Sequence, residues 1–144
     1  VTEKEKDSYY MEIAQTVAKG STCLFGNVGC VIVDAEDHII AADCLQDRSG
    51  VLNCRKQKYC SYYGRTGEFI TGIGDPDCCD YMFPEVNAIL SVQRERLNGA
   101  TIYIYCYDFK TGKTKASKIN KTLSKIIRAA GISRIVLSNE EEVF

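Results

Sequence analysis

The sequence predicts an α/β fold in three layers, a mixed β-sheet with helices on both of its faces. Three observations predict it. An apolar stripe with helical spacing opens the chain. Two short apolar runs follow, separated by a four-residue polar turn. After a long stretch without periodicity, helical and strand patterns alternate. A hairpin followed by helix–strand steps gives the order α-β-β-α-β-α-β and a sheet that mixes antiparallel and parallel neighbours.

Each element has its own signal. Tyr10, Ile13, Ala14, Val17 and Ala18 stand at i, i+3, i+4, i+7 and i+8, one side of a helix. Asp7 or Ser8 is placed to cap its start and Gly20 to end it. Residues 28–33 are nearly all apolar and rich in β-branched side chains, as a buried strand is. Asp34, Ala35, Glu36 and Asp37 make a polar turn, and residues 38–44 return as the second arm of a hairpin. Pro84 suits the first turn of the next helix, where its missing N–H costs nothing. Val86, Ile89, Leu90 and Leu97 supply that helix's buried side. Thr101–Tyr107 reads as a strand around Ile102 and Ile104. Ser117 is placed to cap a third helix with apolar positions Ile119, Leu123, Ile126, Ile127 and Ala130. Gly131 falls where a left-handed residue ends a helix. Residues 134–138 are the last strand. Right-handed crossovers bring the starts of the second and third helices together beside the strand ends, the usual ligand crevice of α/β folds.

The 144 residues are about one domain's worth of chain, with no repeat or linker to split them. Hydrophobic residues are 45% and charged residues 26%, which excludes disorder. No apolar run approaches the roughly 18 residues of a membrane span, so no membrane is expected as a partner. Residues 1–7 are charged and lack the apolar core of a signal peptide, so the expected setting is cytoplasmic. The single histidine, His38, lies in the hairpin and reads as a surface residue, which limits every histidine-based mechanism.

The net charge of −1 hides an asymmetry. Residues 1–108 hold 10 basic and 16 acidic residues, whereas residues 109–139 hold eight basic residues and no acid. These are Lys110, Lys113, Lys115, Lys118, Lys121, Lys125, Arg128 and Arg134. Such a strip is either a solvated helix face or a holder of phosphates from a nucleotide or nucleic acid. Lysines at a helix start oppose the macrodipole, which suits an anionic partner better than an isolated helix.

Residues 45–82 show no sustained periodicity and contain Cys54, Cys60, Cys78 and Cys79 among many turn formers. A stretch this long inside a compact domain is usually functional or cross-linked. With no export signal in view, its thiols are free or bind metal rather than form disulfides.

Several strings resemble the cytidine/deoxycytidylate deaminase superfamily, and its deoxycytidylate branch most closely. They are Ser21-Thr22-Cys23-Leu24 with Val28-Gly29-Cys30-Val31-Ile32-Val33, Ala42-Asp43 with Gly50-Val51-Leu52-Asn53-Cys54, Glu85-Val86-Asn87-Ala88-Ile89, Gly99-Ala100-Thr101-Ile102-Tyr103, and Ala130-Gly131-Ile132-Ser133-Arg134-Ile135-Val136. Their order and spacing carry the resemblance, over about residues 9–54 and 78–138. It implies the three-layer cytidine-deaminase-like fold, a nucleotide ligand and a homo-oligomer. It makes Glu85 the candidate catalytic residue. Asn53, Asn87 and Cys106, with Lys113, Lys115 and Lys118, become candidate substrate-binding residues.

The departures are specific. Zinc deaminases carry H-x-E followed by P-C-x-x-C, one histidine and two cysteines holding zinc and the glutamate moving protons. Here the first motif reads Phe83-Pro84-Glu85 and the second falls on Ile119-Asn120-Lys121-Thr122-Leu123. The three ligand positions are therefore Phe83, Asn120 and Leu123, and only Glu85 is kept. Residues 108–117 form a lysine-rich insert before the third helix. Zinc lowers the pKa of bound water from about 15.7 to roughly 7, which a glutamate alone cannot do. No catalytic zinc is expected, although Cys79 and Cys106 with Glu85 could form a rebuilt site. Cys106 reads more readily as a small packing residue than as a nucleophile.

Some deoxycytidylate deaminases carry a second, structural zinc. The resemblance places its ligands at Cys23, Cys54 and Cys78, with Cys60 or Cys79 as the fourth; buried free thiols are the alternative. A closed four-cysteine cage would order the long loop. The functional expectation is a nucleotide- or nucleic-acid-binding pseudo-enzyme or regulatory subunit. An active deaminase with an altered site, and an interaction module whose basic strip meets an acidic partner, are the alternatives.

Overall fold

The computed structural model describes residues 1–23, 27–47, 81–107, 119, 121–138 and 142–143. Helix α1 spans Glu3–Ala18. Strands β1 (Asn27–Val33) and β2 (Ile39–Cys44) form the hairpin. Short strands β3 (Gln46–Asp47) and β4 (Tyr81–Met82) pair with each other. Helices α2 (Pro84–Leu90) and α3 (Arg94–Leu97) lead to β5 (Thr101–Tyr107). Helix α4 (Lys121–Ala129), β6 (Arg134–Leu137) and the short β7 (Glu142–Val143) complete the described elements.

The main sheet has the order β2-β1-β5-β6-β7. Only β5 and β6 run parallel; the other neighbours are antiparallel. Strand β1 is paired on both edges and almost wholly buried, as its apolar run predicts.

Side-chain alternation divides the core in two. Cys30, Ile32, Ile102, Ile104, Ile135 and Leu137 face one way and pack with Ala88, Leu97, Leu123 and Ile127. Val31, Val33, Tyr103, Tyr105 and Val136 face the other way, against Tyr10, Met11, Ala14 and Ala18 of α1. Helices therefore cover both faces, as expected. At Gly29 the backbone of α1 lies so close that a Cβ would collide with the Ala14 carbonyl oxygen and the Ala18 nitrogen.

Three details correct the sequence reading. The α1 cap is Thr2, whose hydroxyl accepts the Glu5 N–H at 3.1 Å. Asp7 lies a turn inside the helix, where its carboxylate takes Tyr103 Oη at 2.6 Å and Arg134 Nη2 at 2.9 Å. Arg134 is thus committed to α1 and is not part of a basic strip. The second helix is two helices, α2 and α3, and Leu90 is 73% exposed rather than buried. Ile126 is likewise 40% exposed, because α4 buries only the narrower side carrying Leu123 and Ile127. Gly131 has φ +104°, as expected at the end of α4. His38 is 71% exposed, 3.6 Å from Asp34.

Candidate functional site

The site grows from the start of α2. Pro84 occupies the first turn, and Phe83 stands at the cap position without a side-chain capping bond. The helix packs on β1, β2 and α4. This wedges Glu85, in the first turn, into the interior at 3% exposure. Its Oε2 has no hydrogen-bond partner. Burial pushes the carboxyl up to about 7; its own backbone N–H pulls it back, and the negative charge of Asp43 adds to the rise.

Asp43 stands opposite Cys30 in the β1–β2 ladder, so the two share a face. Its Oδ1 accepts the Cys44 N–H at 2.8 Å and Gln46 Nε2 at 3.5 Å. The Cys30 thiol is fully buried and held well above the usual thiol range by burial, then by Glu85 and Asp43. A thiol so held is not a nucleophile. Cys30 and Asp43 lie within strings that carry the family resemblance, but neither is among the candidate site residues read from the sequence. A carboxylate at an alternate position of an otherwise apolar strand, Asp43, is the signal that would have found one of them.

Cys106 sits opposite Val28 on β5. By alternation it shares the face of Ile102 and Ile104, the face α2 covers, and it is partly exposed. Asn87 is 5% exposed, and its Nδ2 has no partner. Two residues along an α-helix point about 200° apart, so Glu85 and Asn87 look out of different sides of α2. Leu123 belongs to the apolar cluster, and Phe83 and Ile119 pack against it.

The backbone at residues 21–22, 28 and 45 is tied together. The buried Ser21 hydroxyl accepts the Val28 N–H and donates to the Val28 carbonyl, both at 3.1 Å. The Thr22 N–H donates to the Leu45 carbonyl at 2.9 Å, and the Leu45 N–H to Val28 at 3.0 Å. Cys23, beside these bonds, is partly buried. Asn53, Cys54, Cys60, Cys78, Cys79, Lys110, Lys113, Lys115, Lys118 and Asn120 lie outside the described residues. Lys121, Lys125 and Arg128 are exposed on α4. No group of three or more His, Cys, Asp or Glu side chains suited to a metal occurs among the described residues. No described helix is long and apolar enough to cross a membrane.

Comparison with known proteins agrees with the fold. The family model for the cytidine and deoxycytidylate deaminase zinc-binding region matches residues 4–138. A deoxycytidylate deaminase of Schizosaccharomyces pombe is 33% identical over 102 residues, 69% of this chain. The chain spans only 29% of that relative's length. Among solved structures, the dCMP deaminase of cyanophage S-TIM5 in complex with dCMP and dUMP aligns at TM-score 0.62 and 20% identity, over 95% of this chain and 82% of its own. Acinetobacter baumannii RibD aligns at TM-score 0.52 and 20% identity, over 94% of this chain and 28% of its own. These structures share the fold of the sheet and its helices. By the extent of the family match, the chain belongs to the cytidine and deoxycytidylate deaminase family.

Proposed function

We propose that this chain is a nucleotide-binding member of the deoxycytidylate deaminase family that works without a catalytic zinc, as a pseudo-enzyme or regulatory subunit. One observation carries the reading: the apolar character of the place where the ligands would stand. Leu123 is part of the core cluster and Phe83 packs against it. Neither side chain has an atom that can donate electrons to a metal, and Asn120 offers an amide where a thiolate is needed. This set does not fit zinc, which takes imidazole, thiolate or carboxylate ligands. Glu85 keeps its place with an unpartnered oxygen and can hydrogen-bond the amino edge of a pyrimidine.

The cyanophage relative solved with dCMP and dUMP supports a pyrimidine nucleotide as the ligand class. Lys113, Lys115 and Lys118 would hold its phosphate, with Asn53, Asn87 and Cys106 as further contacts. The same reading makes residues 1–144 one domain, in a cytoplasmic homo-oligomer. Any zinc is structural, at about one per chain, on Cys23, Cys54 and Cys78 with Cys60 or Cys79. A second reading, an active deaminase with an altered site, is favoured by Glu85 titrating near neutral pH, where a proton-transfer group is most effective.

Calorimetry with dCMP and dUMP, alongside an ammonia-release assay on the same protein, tests both. Binding that weakens in the Lys113→Ala, Lys115→Ala, Lys118→Ala triple variant, with no ammonia released, is expected. A mononucleotide should show only mild salt dependence, a polymer a steep one. Turnover of about 1 s⁻¹ or faster that vanishes in Glu85→Gln would establish the second reading. Absence of binding by nucleotide and polymer alike at low salt would leave an interaction module.

A further inference from the structure

The start of α2 has an unusual set of attachments. The helix is seven residues long, too short to persist on its own. Its cap residue makes no side-chain capping bond. Among the described residues, no side-chain hydrogen bond ties Phe83, Glu85 or Asn87 to the rest of the fold, and two of their buried polar atoms are unpartnered. What remains is apolar. Ala88 lies in the cluster with Leu123 and Ile127 of α4, and Phe83, Val86, Ile89 and Ile119 pack against it.

We propose that this layer is a metal-free clamp, in which packing around Phe83 and Leu123 holds the start of α2 against α4 and so positions Glu85. Phe83 is then a positioning residue, two places before the carboxyl it sets. Aliphatic and aromatic contacts act without geometric preference, so the clamp needs shape and volume rather than donor atoms. The inference rests on reading positions 83 and 123 as the family's ligand positions. Its readouts are stability and metal uptake, so the presence or absence of nucleotide binding leaves it standing.

The test uses the full chain and thermal unfolding, with and without added zinc or cobalt. Phe83→Leu should unfold within about 2 °C of the wild type, because a volume-similar apolar side chain keeps the layer. Phe83→Ala and Phe83→His should each lose about 5 °C or more, and added metal should not restore Phe83→His. The Phe83→His, Asn120→Cys, Leu123→Cys triple variant should bind metal beyond the wild-type content, with added cobalt–thiolate absorption, and regain its midpoint until chelator is added. Phe83→His or Phe83→Ala as stable as the wild type overturns the proposal. A folded triple variant that takes up no more metal than the wild type overturns it too. Should the triple variant not fold, the contrast between Leu and Ala at position 83 still decides, since equal midpoints refute the clamp.

Discussion

The two faces of the sheet bury polar groups under different terms. On the α1 face, Asp7 accepts from Tyr103 and from both Nη atoms of Arg134, and Glu3 adds a second carboxylate at 3.3 Å. Burial alone would raise the Asp7 carboxyl, but the Arg134 and Tyr103 hydrogen bonds outweigh it and hold the carboxyl below its ordinary value. On the α2–α4 face, Glu85 is more deeply buried and its Oε2 has no partner, so burial prevails and the carboxyl rises. The same residue chemistry is satisfied on one face and left open on the other. Buried polar groups are normally satisfied, and the exceptions concentrate where a ligand or a reaction takes the missing bond. The first face pairs its buried carboxylate, and the second leaves a buried carboxyl oxygen without a hydrogen-bond partner.

That contrast can be broken at its tightest point first. Gly29→Ala forces a methyl into the backbone of α1, which cannot yield as a flexible side chain would. A loss of about 3 kcal/mol or more is expected in denaturant unfolding. A loss under about 1 kcal/mol would mean that α1 does not press on the sheet there.

Glu85 tests the other face through pH. Its folded value, about 7, lies above its ordinary 4.5, so the folded protein holds more protons than the unfolded chain between those values. Stability should therefore fall as pH rises through this window and level off above about 7. The span of about 2.5 pH units corresponds to roughly 3 kcal/mol. Glu85→Gln should flatten that slope and stabilise the protein at pH 8 by about 2 kcal/mol, the buried amide retaining part of the cost. An unchanged slope would place the titration elsewhere.

The opposite pH dependence belongs to Asp7. With its carboxyl below the usual value, its contribution is complete above about pH 4 and is lost as pH falls through the depressed value. Asp7→Asn should cost about 2 kcal/mol at neutral pH, mostly by leaving Arg134 without its bidentate partner, and should remove the acid sensitivity. The smallest effect is expected at the helix cap. Thr2→Ala should lose about 1 kcal/mol, visible as earlier exchange of the Glu5 amide.

Much of this arrangement was legible beforehand, because its causes are local. The stripe from Tyr10 to Ala18, the apolar run of β1 and the turn at Asp34 each follow from spacing and residue type, and each is found where expected. Glu85 was legible by the strings around it, and its burial follows from Pro84 opening a helix against the sheet. Asp7 was misread because a helix cap and a long-range ion pair draw on the same residue types; Thr2 supplies the local bond and frees Asp7 for Arg134. Leu90 was misread because helical spacing cannot show that the helix ends at residue 90 and that the chain turns before Arg94.

The sequence by itself determined the order of the main helices and strands and most of the strand positions that are buried. Those depend on periodicity, conformational preference and identity, all properties of neighbours along the chain. Only the tertiary structure decided that Asp43 and Cys30 surround Glu85 electrostatically, that Phe83 packs on the cluster holding Leu123, and that Arg134 serves α1. The physical reason is distance: Glu85 and Asp43, or Asp7 and Arg134, are far apart in sequence, and their interaction exists only once sheet register and helix packing have brought low-dielectric surroundings and partner together.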